Sequence, residues 1–209
     1  MLKGYSRRRT DRRKEGTIFL IICEGQKTER TYFGRYKERN SGLIIFAPNS
    51  TDTDPENLVE FAISQMQRYG IDYDNGDEVW CVFDADNNPG RNIEKAQKKA
   101  KAQRINLCLS NPCFELWYLL HFCYYDTAIT ARDLQSKLAE KISKYDKTND
   151  YFDSLKGKRE TAIRNANRLN KKQMDAGIEL LSMESNPSTQ VVKLVENMLK
   201  IIENNLKRE

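Results

Sequence analysis

Apolar residues in this chain gather in short runs, and the stretches between them carry helical spacing. The alternation predicts a sheet whose strands are joined by helices. Thr17–Cys23 is a brief apolar, β-branched run that suits a buried strand, and 43–47, 78–83 and 105–109 repeat the type. Between them, 28–39 reads as a helix with Tyr32, Phe33 and Tyr36 on one face. A second helix starts at Asp54-Pro55-Glu56, with proline at the first helical position. It carries Leu58, Val59, Ala62, Ile63 and Met66 on its apolar face and stops at Gly70. Asp74-Asn75-Gly76 marks a turn, 93–104 a helix rich in alanine and lysine, and 113–122 a helix opened by Asn111-Pro112.

Strands alternating with helices imply parallel βαβ units with right-handed crossovers. From about Thr127 onward only helical signals remain, over 131–144, 158–172 and 187–205. The expected architecture is therefore α/β. A mostly parallel sheet flanked by helices occupies 17–126, and a helical C-terminal region, 127–209, packs on it. Residues 1–16 form a basic arm. The chain's 209 residues suffice for one such core with an appendage.

Charge changes the picture only at the N-terminus. Of 35 bases and 30 acids, seven bases and two acids lie within residues 3–15, which leaves 28 of each for the rest. Arg7, Arg8, Arg9, Arg12 and Arg13 suit contact with nucleic-acid phosphates, and they suit a solvated tail as well. No run approaches the roughly 20 apolar residues of a membrane helix. No apolar segment follows the basic residues as in a secretory signal, so a cytoplasmic protein without membrane contact is expected. Five cysteines without a Cys-x-x-Cys pair read as reduced, structural thiols. A single histidine speaks against a zinc site.

The candidate chemistry is acidic. Ligands of open α/β sheets bind beyond the carboxyl ends of the strands. The first strand ends in Glu24-Gly25, with Glu29 shortly after. The third ends in Asp84-Ala85-Asp86, and the fourth in Ser110-Asn111, with Glu115 in the helix that follows. Two like charges ~4 Å apart repel by about 4 kcal/mol at an effective dielectric of 20, so a converged cluster calls for a cation. All-oxygen donors point to Mg²⁺ or Mn²⁺. Each acid also has a plainer reading: Glu24 as a loop residue, Glu29 as a solvated first-turn residue, Asp86 as a turn former, Glu115 as half of a buried ion pair. His121, about 240° around the helix from Glu115, reads as a general acid/base, a phosphate contact or a satisfied helix-end histidine. Asn111 is read as an N-cap whose helix terminus would attract phosphate.

Three blocks carry a family resemblance: 23–29 (Cys-Glu-Gly-Gln-Lys-Thr-Glu), 80–86 (Trp-Cys-Val-Phe-Asp-Ala-Asp) and 110–122 (Ser-Asn-Pro-Cys-Phe-Glu-Leu-Trp-Tyr-Leu-Leu-His-Phe). They resemble the RloB-like family, as do Lys144-Tyr145-Asp146-Lys147, the stretch 162–167 and Asn186-Pro187-Ser188-Thr189. The likeness spans about 17–195. It implies a Toprim-like fold in a protein of prokaryotic antiviral defence loci, often encoded beside a partner ATPase. It also implies a magnesium-binding site at Glu24, Asp84 and Asp86. Similarity to the overcoming-lysogenisation-defect nucleases of the same fold adds Glu29, Ser110 and Glu115 as ligands of a two-metal site. It adds Lys147 as the basic residue near the scissile phosphate, ahead of His121 and Lys144. The expectation is a metal-dependent nuclease, a hydrolase of DNA or RNA, with the oligomeric state open and a homodimer included. The alternatives are a non-catalytic nucleic-acid-binding or signalling subunit, and a primase-like synthetic enzyme.

Overall fold

The computed structural model describes residues 16–25, 27–37, 41–50, 54–85 and 90–207, the side chain of Arg91 excepted. The described chain runs β1 (Thr17–Cys23), α1 (Thr28–Gly34), β2 (Leu43–Phe46), α2 (Pro55–Tyr69), β3 (Glu78–Asp84), α3 (Gly90–Ala102), β4 (Asn106–Asn111) and α4 (Glu115–Leu120). It continues with α5 (Ala131–Lys141), α6 (Phe152–Lys156), α7 (Arg159–Asp175), β5 (Ser188–Thr189) and α8 (Val191–Leu206). The sheet order is β2-β1-β3-β4-β5, parallel except for β5, which runs antiparallel to β4. This is the expected mostly parallel α/β architecture with a helical C-terminal region.

Strand alternation sorts the core into two layers. Leu20, Ile22, Val79, Cys81 and Phe83 point to one face, where α2 and α3 supply Leu58, Val59, Ala62, Ile93 and Ala96. Phe19, Ile21, Cys23, Trp80, Val82 and Cys108 point to the other, covered by α1, α4 and the C-terminal helices. Helix α2 shows why its sequence was so readable. Asp54 caps it by accepting from the Glu56 amide at 2.9 Å, and Gly70 closes it in the left-handed conformation at φ 64°.

Several boundaries differ from expectation. Helix α1 ends at Gly34, shorter than predicted; Tyr36 is nonetheless buried, with its ring 5.0 Å from Phe152. Strand β4 extends through Ser110 and Asn111, so Asn111 is the strand's last residue, and Phe114 precedes α4. Helix α6 and strand β5 carry no apolar periodicity long enough to predict them. Strand β5 is two polar residues held by specific bonds. The Ser110 and Thr189 hydroxyls pair at 2.9 Å, and the Asn170 amide spans both backbone groups of Thr189. Thus the C-terminal region also completes the sheet. Helix α8 lies against it through Val191, Leu194, Val195 and Met198, and Asn197 donates to the Glu78 carboxylate at 3.0 Å. Among the described residues no helix is long and apolar enough to cross a membrane.

Candidate active site

The parallel register sets the carboxyl ends of β1, β3 and β4 side by side, with Cys23 opposite Val82 and Asp84 opposite Ser110. Just past β1 the chain bends. The Glu24 amide donates to the Val82 carbonyl at 2.9 Å, and a Glu24 carboxylate oxygen accepts the Asp84 amide at 3.0 Å. Glu24 is therefore within a side chain's reach of β3, a contact that straddles 60 residues of sequence.

Alternation carries Asp84 to the same face as Trp80 and Val82, the face on which α1 and α4 pack. Glu29, in the first turn of α1, is only 6% exposed, and Glu115, in the first turn of α4, is likewise 6% exposed. Burial, with the charges of Glu115 and Glu24 beside it, pushes the Glu29 carboxyl up to about 7, against the pull of its own backbone amide and of Lys147. The thiol of Cys108, beneath, feels both Asp84 and Glu29. Four acids from three chain segments thus share one edge. Gly25 has a definite part in this. A Cβ there would collide with the Glu29 carboxylate, so the glycine opens the space that Glu29 fills.

The 142–151 loop lies over the cluster. Thr28 donates its hydroxyl to the Lys147 carbonyl at 2.6 Å, which docks the loop on α1. Tyr145 donates to Glu115 Oε1 at 3.2 Å and stacks on Tyr151 with ring centroids 5.3 Å apart. Sequence reading gives Tyr145 no role of its own and misses this contact; its place in a family-like block is the available signal. Lys144 is exposed, with a left-handed backbone at φ 53°.

Other expected site residues stand elsewhere. The structure sets His121 at the far end of α4, about 9 Å along the helix axis from Glu115. It is 2% exposed, its Nδ1 bonds the Trp117 carbonyl at 2.8 Å, and its ring meets the Trp117 ring edge to face. Burial first, with Arg159 and Lys158 adding to it, lowers its pKa to about 4, so the ring is neutral and enclosed. Asn111 is neither an N-cap nor an open phosphate contact: its amide donates to the carbonyls of Met183 at 3.0 Å and Ser182 at 3.3 Å. The Ser110 hydroxyl, fully buried, is engaged with Thr189. Asp86, Arg7, Arg8, Arg9, Arg12 and Arg13 lie outside the described residues.

The donor set is all oxygen and crowded with like charge, chemistry that matches a hard divalent cation. Among the described residues, however, no three acidic, histidine or cysteine side chains stand close enough together to hold an ion as they are placed. The fit is one of donor type and location; a closed shell needs side-chain rotation or a further ligand. All five cysteines are free thiols, and burial raises those of Cys23, Cys81 and Cys108.

A family model described as RloB-like protein matches residues 19–198, most of the chain. No curated protein and no solved structure matches it.

Proposed function

This chain belongs to the RloB-like family, and on that premise we propose that its acidic sheet edge is the active site of a divalent-metal-dependent nuclease acting on DNA or RNA. The observation that carries the reading is the burial of Glu29 and Glu115 beside Glu24 and Asp84 at the carboxyl end of a parallel sheet. Buried carboxylates gathered in this way are costly unless a cation or protons neutralise them. Glu24, Asp84 and Asp86 would hold Mg²⁺ or Mn²⁺, with Glu29 and Glu115 assisting. When bound, such an ion supplies charge stabilisation at the phosphate and an activated water. The chain's own groups do the rest. Glu24 ties the end of β1 to β3. Glu29, its carboxyl raised to about 7 by burial and by Glu115 and Glu24, would lose its proton when a cation is bound. Tyr145 orients Glu115, and Lys147 brings positive charge to the cluster.

The test is incubation of the pure protein with DNA and RNA pools in Mg²⁺ or Mn²⁺. Cleavage should fall on the order of 10³-fold in Asp84→Ala and Glu24→Ala, with melting unchanged within a few degrees. Cleavage that survives both substitutions defeats the assignment, and nucleotide incorporation in the same tubes would turn it towards synthesis. A second reading, a non-catalytic binding or signalling subunit, draws support from the lack of a ready three-acid cage among the described residues. Nucleic-acid binding without cleavage in any metal would favour it. An anti-phage role beside a partner ATPase is proposed from the family resemblance alone. Expression under phage challenge, with and without any ATPase encoded beside it, tests it.

A further inference from the structure

Residues 131–176 hold twelve bases and seven acids, whereas the chain beyond the N-terminal arm is neutral as a whole. The excess lies beside an aromatic segment. Immediately after α4, Phe122, Tyr124 and Tyr125 are half-buried rings, each faced by a cation from another part of the chain. The Lys158 ammonium stands 4.2 Å from the Phe122 ring centroid, the Arg168 guanidinium 4.0 Å from Tyr124, and the Lys137 ammonium 5.2 Å from Tyr125. None of these three cations is in an ion pair among the described residues, although Lys171 and Lys172 nearby are paired with Asp175 and Asp126. Tyr125 and Lys137 also line an open hollow of about 470 Å³, together with Ile129, Asn186 and one acid, Asp133.

We infer that this face, built from the segment after α4 together with α5 and α7, is a binding track for single-stranded nucleic acid. Proteins that hold single strands combine cations that follow the phosphates with ring faces on which bases stack, a pattern indifferent to sequence. A duplex buries its base faces and could use only the cations. The hollow at Tyr125 admits one unstacked base beside a ring and an ammonium group. The track also leads somewhere. Helix α4 starts in the acidic edge at Glu115 and ends about 7.5 Å away at Leu120, where Asn165 of α7 donates to the Leu120 carbonyl at 2.8 Å. A strand lying along the rings could therefore reach the carboxylates. The inference deepens the nuclease reading, from which it takes its polymer, and it names the substrate class as single-stranded. The plainer role for such cations, shielding rings from water, makes no demand on ligand, charge or strandedness.

The experiment is fluorescence anisotropy of the full chain in EDTA, where cleavage cannot occur. The probes are a labelled single strand as RNA, the same strand as DNA, and the matching duplex. The single strand should bind more tightly than the duplex, and the tighter of RNA and DNA names the natural strand. Lys158→Glu with Arg168→Glu should weaken single-strand binding by at least about tenfold and reduce the salt slope by about 1.4, two phosphates at ~0.7 each. Lys158→Gln with Arg168→Gln, which avoids new charge, should show the same slope change with a smaller loss. Tyr125→Ala should cost on the order of tenfold for the single strand and leave duplex binding unaltered. Equal or tighter binding of the duplex overturns the track, as does wild-type affinity in both double variants. A chain that binds this way and never cleaves refutes the nuclease reading and leaves the track standing.

Discussion

The two faces of the sheet are built to different ends. On one, α2 and α3 lay aliphatic side chains on Leu20, Ile22, Val79, Cys81 and Phe83, and neither helix buries a charged residue among those described. On the other, the same strands meet a layer dense in aromatic rings, with Tyr32 in contact with Phe33, Tyr36, Phe114, Trp117, Tyr118 and Phe152. That layer also encloses Glu29, Glu115 and His121, each 6% exposed or less. An enclosed ionisable group costs free energy that an aliphatic one does not. The aliphatic side encloses one acid, Asp77 just before β3, whose carboxylate accepts the Ile18 and Asp72 amides at 2.9 Å and so serves the fold. The face that encloses Glu29, Glu115 and His121 is the one on which chemistry is to be sought, and the other supplies the stability.

The largest effect expected from breaking this contrast is on the aliphatic side. Leu58 is fully buried, and Leu58→Ala should destabilise the chain by about 2–5 kcal/mol, read by urea denaturation. Cleavage per folded molecule should not change. A specific loss of cleavage at full stability would show that the two faces are not separable in this way.

Next is His121, with an expected effect of about 3 kcal/mol. Its folded pKa of about 4 lies below the ordinary value of 6.5. Above pH 6.5 the ring is neutral in both states and contributes no pH dependence. As pH falls towards 4, the unfolded chain takes up a proton that the folded chain refuses, so stability is lost across that window. His121→Asn keeps a donor for the Trp117 carbonyl and should flatten the slope between pH 6.5 and 4. An unchanged slope in the variant would mean the ring is open to solvent.

How much of this was readable depends on whether a group's partner is near in sequence. Periodicity and caps are local, so β1, α2 and β3 stand within a residue or so of expectation, and Asp54 and Gly70 marked the ends of α2. Strand ends are local too. The parallel pattern implied one common edge for Glu24 and Asp84, and the structure adds that their strands are neighbours, with the Glu24 carboxylate accepting the Asp84 amide. Strand β5 depends on Ser110 and Asn170, some 79 and 19 residues distant, and no apolar pattern announces it. Asn111 looked like a cap because Asn-Pro is a local cap signal; its actual partners, Ser182 and Met183, lie beyond any local rule. Tyr145 is the same case, since its role exists only once the 142–151 loop has docked on α1.

A somewhat smaller effect, up to about 3 kcal/mol, should follow from Glu29→Gln. Here the folded pKa, about 7, lies above the usual 4.5, so the folded chain holds a proton that the unfolded chain releases. The associated stability is fully present below pH 4.5 and is lost as pH rises towards 7. The glutamine variant should therefore melt higher than the wild type at pH 8 and match it at pH 4. Mg²⁺ added at pH 8 should raise the wild-type melting temperature more than the variant's. A variant that melts lower at pH 8 would remove the crowding of charge on which the site assignment relies.

The smallest effect distinguishes positioning from stability within the acidic face itself. The Tyr145 hydroxyl gives Glu115 one hydrogen bond at 3.2 Å, and a neutral donor to a carboxylate contributes about 1–2 kcal/mol. In Tyr145→Phe the ring keeps its stack on Tyr151, so the loop should stay docked and melting should shift by only a few degrees. If Tyr145 orients Glu115 for the metal site, the variant should need several-fold more Mg²⁺ for half-maximal cleavage, while the rate at saturating metal recovers. If the hydroxyl merely satisfies a buried acid, the metal requirement stays put and only stability moves. The readout thus separates a group that serves the site from one that serves the fold, on the face where the two are closest together.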